Sequence, residues 1–198
     1  MSRSTRAKAE ATRERILETA SSLFSERGYS GVSVGEIMAA VGLTVGGFYN
    51  HFRSKEALAV EACTNSFRKE MQIWNTYLTN TSSCSDEALP KLAQRYLSAT
   101  DKGTNCPIIA FNSDAVAVQR VDSIAKAYTQ GTKLLLEALL VATSGRASSD
   151  YSRDRGLLLF AALVGAKLIG RAAPQEPWMR EIRLAVLRQT DIVHKLLR

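Results

Sequence analysis

Between Ser33 and Lys55 the sequence SVGEIMAAVGLTVGGFYNHFRSK crowds hydroxyls, a phenol, an amide, an imidazole and an ammonium around two adjacent glycines. No nucleophile is paired with a base here, so the set suits recognition rather than bond-breaking. Two glycines in so short a segment cost about 0.8 to 1 kcal/mol each relative to alanine if the segment is helical. That cost points to a purpose other than folding. Absent side chains let a backbone approach another surface closely, and a phosphate at a helix N-terminus meets free amides and a favourable dipole.

The elements that hold these groups can be read from local rules. Ser33 followed three residues later by Glu36 is a capping box, in which hydroxyl and carboxylate satisfy the free amides of a helix start. Ile37, Met38 and Val41 then share one helical face, leaving Glu36 and Ala40 nearer the surface. Gly42 ends this helix, Leu43 fills the corner, and Thr44 is placed to cap a second helix running to about Asn50. Phe48 and Phe52 lie one turn apart as inward anchors, so Val45, Gly46, Tyr49 and Asn50 are left facing outward. Two short helices joined by a tight turn form a helix-turn-helix, a unit that fits a DNA groove.

The sequence offers little to catalysis or metal binding. His51 and His194 are its two histidines, and Cys63, Cys84 and Cys106 are an odd set without CxxC spacing. No Ser/His/Asp or Cys/His arrangement appears, so an enzyme, a zinc site and a cofactor are all unexpected. No apolar run is long enough for a membrane span, and the opening MSRSTRAKAEATRER lacks the apolar core of a signal peptide, so a cytoplasmic location is expected. With 198 residues, 45% of them hydrophobic, the chain can bury a substantial core, and its formal net charge of +7 favours a polyanionic partner.

The run T-V-G-G-F-Y-N-H-F-R-S-K-E-A-L, Thr44 to Leu58, resembles the signature of TetR-family transcriptional regulators. The likeness continues upstream through Arg15-Ile-Leu, Ala20, Leu23-Phe24, Arg27-Gly28-Tyr29, Val34 and Ile37, so it covers roughly the first third of the chain. It implies a DNA-binding domain over residues 1–53, with its motif at 33–52, and a regulatory, ligand-binding and dimerisation domain over 54–198. By the same resemblance Val45, Gly46, Gly47, Tyr49 and Asn50 approach bases, whereas Ser33, Thr44, Tyr49, His51 and Lys55 meet the backbone. Asn50 is the side chain here able to pair bidentately with adenine, and Val45 can pack on a thymine methyl. No arginine lies between Thr44 and Phe52 to grip guanine.

The remainder reads as all-α, about nine helices in total. A first helix is expected from about Thr12 to Arg27, with Ile16, Ala20, Leu23 and Phe24 inward and Gly28 at its end. Its upstream arm carries Arg3, Arg6 and Lys8, suited either to phosphates and a minor groove or to a solvated tail. Ser54 caps a long fourth helix with Leu58, Phe67, Met71, Trp74 and Leu78 along it. Thr79 to Ser85 and Thr143 to Asp150 read as loops. Further helices are expected over Asp86–Thr100, with Pro90 in its first turn, from Pro107 to about Val116, and over Asp122–Ala142.

Two long C-terminal helices complete the pattern. One contains GLLLFAALVGAKLIG, and the other carries Trp178, Ile182, Val186, Ile192 and Leu196 at near-heptad intervals. The resemblance implies that these pair with their copies in a homodimer, placing two reading helices one DNA turn, roughly 34 to 36 Å, apart on a palindromic operator. It further implies a repressor released by a small-molecule inducer, with an activator as the variant. Trp74, Tyr77, Tyr96, Phe111, Tyr128 and Phe160 are candidate pocket residues for an apolar or aromatic effector, each also suited to a plain helical core. Cys106, before a proline-started helix, is a candidate ligand-side or electrophile-sensing thiol, set against the ordinary role of a buried apolar residue. A helical enzyme or carrier with an incidental basic head is the competing class, and it would need a catalytic or metal-binding cluster.

Overall fold

Apolar residues spaced three and four apart fold as helices, and the computed structural model contains ten among the residues it describes, which are 3–78, 87–98, 106–117, 121–143 and 150–196. In chain order these are α1 (Arg3–Arg27), α2 (Val34–Ala40), α3 (Val45–Phe48), α4 (Lys55–Leu78), α5 (Ala88–Ser98), α6 (Pro107–Ala110), α7 (Asn112–Val116), α8 (Asp122–Thr143), α9 (Asp150–Ala172) and α10 (Pro177–Leu196). The expected all-α class holds, with no strand among the described residues. None of these helices is long and apolar enough to cross a membrane. The two expected loops, at 79–85 and 143–150, fall almost wholly outside the described residues, as do Cys84 and the linker at 101–105.

Two compact units emerge. The first comprises Met1–Lys69 and Asn105–Gly131, and the second Glu70–Thr104 and Thr132–Arg198. In the first, α1 packs on α2 and α6, α2 on α3, and α6 on α7. Ile16, Ala20, Phe24, Ile37, Met38, Phe48 and Leu58 are wholly removed from solvent there. Each large side chain among them contributes about 1.5 to 3 kcal/mol by leaving water. Leu23, expected inward, is only half-buried, while Leu17 joins the core beside it.

Local signals account for several helix ends. The Ser33–Glu36 capping box is complete: Glu36 N–H donates to Ser33 Oγ at 3.1 Å, and Ser33 N–H donates to Glu36 Oε2 at 2.7 Å. Gly28 and Gly42 close α1 and α2 at φ +73° and +71°, where an L side chain is strained. Ser54 Oγ accepts the Ala57 N–H at 3.0 Å and so caps α4. Pro107 occupies the first turn of α6.

Four expectations require correction. The N-terminal arm is not separate: α1 already begins at Arg3, since RSTRAKAEA contains good helix formers and no breaker. The second motif helix stops at Phe48 rather than Asn50. Thr44 stands at its N-cap, but its hydroxyl makes no capping bond. The single helix expected from Pro107 to Val116 is two, because Phe111, at φ −102° and ψ 5°, leaves the helical conformation.

In the second unit α5, α9 and α10 pack pairwise. Leu92, Ala93, Leu135, Leu139, Leu163 and Met179 lie in its core. Its buried charges have partners: the Trp74 indole N–H donates to Glu70 Oε1 at 2.8 Å, and Lys167 Nζ donates to the Tyr96 carbonyl at 2.8 Å. The small residues of α9 serve close packing at one point, for a Cβ on Gly156 would stand 2.6 Å from Thr143 Oγ1.

Candidate nucleic-acid interface

A four-residue helix cannot hold itself in water, so α3 depends on its surroundings for orientation. Phe48 and Phe52 supply it. Both rings are buried and stack on each other with centroids 5.8 Å apart. The Arg13 guanidinium of α1 lies 4.5 Å from the Phe52 centroid and grips both oxygens of Glu61 on α4 at 2.6 Å. That bidentate bond raises the Arg13 pKa further against the opposing effect of burial. Arg15 Nη2 donates to the Val41 carbonyl at 3.0 Å and ties α1 to the turn between the motif helices.

With the anchors inside, the predicted reading residues face outward. Val45 is 49% exposed and Tyr49 66% exposed, and Gly46 and Asn50 are exposed as well. The Tyr49 ring still meets the Phe48 ring in a T-shaped contact, with centroids 5.2 Å apart. Neither glycine is demanded by the fold. A Cβ on Gly46 would meet nothing within 4 Å, and one on Gly47 would meet only the Met38 Cε at 3.8 Å, an ordinary contact. Neither has positive φ. What these positions preserve is open space above the backbone at the start of α3.

Residues predicted for backbone contact flank that surface. Ser33 and Thr44 are exposed at their two N-caps, and His51 is half-buried in the turn after α3. Lys55 opens α4, but its ammonium is not simply solvated: Nζ sits 4.1 Å from the centroid of the Tyr29 ring. Burial pushes the Lys55 pKa down, against the pull of Asp114 and Glu36. Glu36 is held at about 2, below its usual 4.5, chiefly by the Ser33 backbone N–H, then by the Ser33 hydroxyl and Arg27. Arg27 Nη1 reaches Glu36 Oε1 at 2.8 Å. A cleft of about 800 Å³ opens beside this edge, lined by Arg13, His51, Arg53, Glu56, Glu61 and Ser123 among others.

The sequence reading missed the residues that hold this edge. Tyr29 was part of the resemblance without a role, and Asp114 carried no signal at all. The Tyr29 backbone N–H donates to both Asp114 oxygens, at 2.9 and 3.0 Å. These residues lie 85 apart in the chain, beyond the reach of any spacing rule.

The candidate effector residues are distributed over both units. Trp74 and Tyr96 are buried in the second with ring centroids 6.1 Å apart, and Tyr77 and Phe160 are half-buried there. Phe111 and Cys106 are buried in the first, where the half-buried Tyr128 ring meets Phe67 edge-on at 6.0 Å. No group of three or more metal-ligating side chains occurs among the described residues.

All-α among its described residues, the chain presents a capped helix-turn-helix with an open glycine step, and these define a helix-turn-helix protein. Residues 16–62 match the family described as bacterial regulatory proteins, tetR family. The regulator AcrR of Shigella flexneri is 46% identical over 61 residues, 31% of this chain and 28% of that protein. The repressor DhaR of Mycobacterium sp. strain GP1 is 34% identical over 105 residues, 50% of each. The chain thus spans half or less of the length of these curated relatives. Reduced E. coli NemR has the same fold, with a TM-score of 0.75 at 20% identity, covering 89% of this chain and 95% of that one. Residues 16–62 thus carry the helix-turn-helix domain of the TetR family, and the chain shares its fold with solved TetR-family proteins.

Proposed function

We propose that this regulator binds a palindromic operator as a homodimeric repressor and is released by a small-molecule inducer. The observation that carries the reading is the outward set on α3 and the turn that follows it, where Val45, Tyr49 and Asn50 are exposed beside glycines whose missing side chains leave space for a DNA surface. On this reading residues 1–53 act on DNA and 54–198 regulate. Asn50 reads adenine, Val45 meets a thymine methyl, and Ser33, Thr44, Tyr49, His51 and Lys55 position the backbone. With no arginine on α3, DNA shape carries part of the specificity.

Dimerisation through α9 and α10 is supported by exposed apolar side chains. Leu157 and Leu168, and likewise Leu158 and Ile169, are three helical turns apart on α9, and Trp178 and Leu184 are exposed on α10. Repression is the activity named for the relative DhaR. An apolar or aromatic inducer must favour the DNA-incompetent state, since equal affinity for both states would shift nothing. The thiol alternative draws no support from Cys106, which is 3% exposed, whereas reactive thiols are ordinarily accessible.

Selection of bound sequences from random DNA tests the proposal. The expected result is an enriched inverted repeat with half-sites about one helical turn apart. No enriched motif would reject DNA reading, and an enriched single half-site would reject the dimer.

A further inference from the structure

Three segments distant in sequence meet at the turn after α1. Gly28 leaves α1 in the left-handed conformation, and a Cβ there would stand 3.2 Å from Asp114 Oδ1. Tyr29 follows with its N–H aimed at both carboxylate oxygens, and its ring carries the Lys55 ammonium of α4 on one face. Asp114 itself belongs to α7, whose register is fixed by the Ala115 N–H donating to the Phe111 carbonyl at 3.1 Å. A second link close by joins α8 to α4, where Ser123 Oγ meets Glu56 Oε1 at 2.5 Å.

This arrangement bears on DNA because the turn it clamps leads directly into the reading head. Val32 is buried and Ser33 caps α2, so the path from Gly28 to Ser33 sets where α2 starts. The α2 helix in turn packs on α3. The same Tyr29 ring seats Lys55 on the opposite flank of the motif. Moving Tyr29 therefore displaces two backbone contacts that bracket the base-reading residues.

We infer that Asp114 is a positioning residue for DNA reading, a carboxylate on α7 that fixes the α1–α2 turn and, through Tyr29, the Lys55 ammonium. It touches no DNA on this account. Half-burial raises the Asp114 pKa, opposed by the Tyr29 N–H and Lys55, so the carboxylate is retained at some desolvation cost. An asparagine there preserves a carbonyl acceptor for Tyr29 and removes that cost, which makes Asp114→Asn the conservative partner to Asp114→Ala.

The inference rests on the DNA-binding reading above, and two readouts separate them. Hydrogen exchange should show the Tyr29 amide protected in the wild-type chain, exchanging about tenfold or more faster in Asp114→Ala and protected again in Asp114→Asn. Affinity for the selected operator should fall about tenfold in Asp114→Ala, with a smaller fall on random DNA because Lys55 is displaced along with the reading head, and both should recover in Asp114→Asn, the loss expected for one positioning hydrogen bond. An unprotected Tyr29 amide in the wild type overturns the clasp without any variant being needed. Altered protection with unchanged operator affinity overturns the positioning role alone. Equal losses on operator and random DNA, tracking a lowered melting temperature, would reduce Asp114 to a stability residue and overturn it too. Failure of the wild type to bind DNA at all would instead reject the function, with Tyr29 protection still reporting the clasp.

Discussion

Replacing Gly46 by alanine separates what the fold needs from what the ligand needs. The residue is exposed on α3, its φ is not positive, and a built Cβ meets nothing within 4 Å. The free protein should therefore tolerate or welcome the methyl, since glycine inside a helix costs roughly 0.5 to 1 kcal/mol relative to alanine. For a chain of 198 residues that corresponds to a melting temperature unchanged or raised by up to about 4 °C. Against DNA the sign reverses. If the backbone approaches base edges at that point, the methyl overpacks a fitted interface at about 1 to 3 kcal/mol, or roughly 5- to 150-fold in affinity. Thermal denaturation and fluorescence anisotropy on the selected operator, from one preparation, measure both terms. A lowered melting temperature would show that the glycine serves the fold. Unchanged operator affinity would show that no surface comes close to it, and the account of the interface would be wrong.

The contact classes on the same face predict further divisions. Asn50→Ala should relax specificity at one position of each half-site at about 1 to 3 kcal/mol, while Lys55→Ala weakens operator and random DNA alike and lowers the salt slope by about 1; equal losses on both DNAs for both variants would refute the assignment. Because Glu36 has a folded pKa depressed from 4.5 to about 2, its stabilising effect is complete above pH 4.5 and is lost as pH falls toward 2. The melting-temperature gap between wild type and Glu36→Gln should accordingly close over that interval, and a gap that widened with acid would reverse the sign. Gly131→Ala places a Cβ 2.2 Å from Phe67 Cγ, so it should lower the urea midpoint by an amount worth about 1 to 3 kcal/mol, without changing which DNA is preferred.

What was legible in the sequence is what is decided within a turn or two of helix. Ser33 and Glu36, Gly42, Ser54 and Pro107 each act on backbone groups three or four residues away, and their helices start or stop where those rules put them. The outward set of α3 followed from the two phenylalanines for the same reason. Positions decided by tertiary partners were not legible. Arg13 meets Glu61 across 48 residues, and Tyr29 meets Asp114 across 85. The break at Phe111 is a further case: no proline or glycine interrupts IIAFNSDAV, yet the helix divides there and the ring is buried. Aromatic residues posed the opposite difficulty, because Trp74 and Tyr96 look alike in sequence whether they pack a core or line a cavity.

The division of labour on α3 has a consequence for how such a head can change what it reads. The helix has one turn, two glycines and an N-cap hydroxyl that makes no bond, so its own sequence contributes little to its persistence. Orientation is imposed from beneath by Phe48 and Phe52, by Arg13 stacked on the latter, and by Arg15 on the preceding turn. Val45 and Asn50 lie exposed, and Tyr49, also mostly exposed, adds a T-shaped contact with Phe48 to the packing. Substitutions on the outer face therefore alter contacts to bases while leaving the helix in place. Substitutions beneath it move all the reading groups together, so they should weaken every operator rather than redirect the protein to a new one.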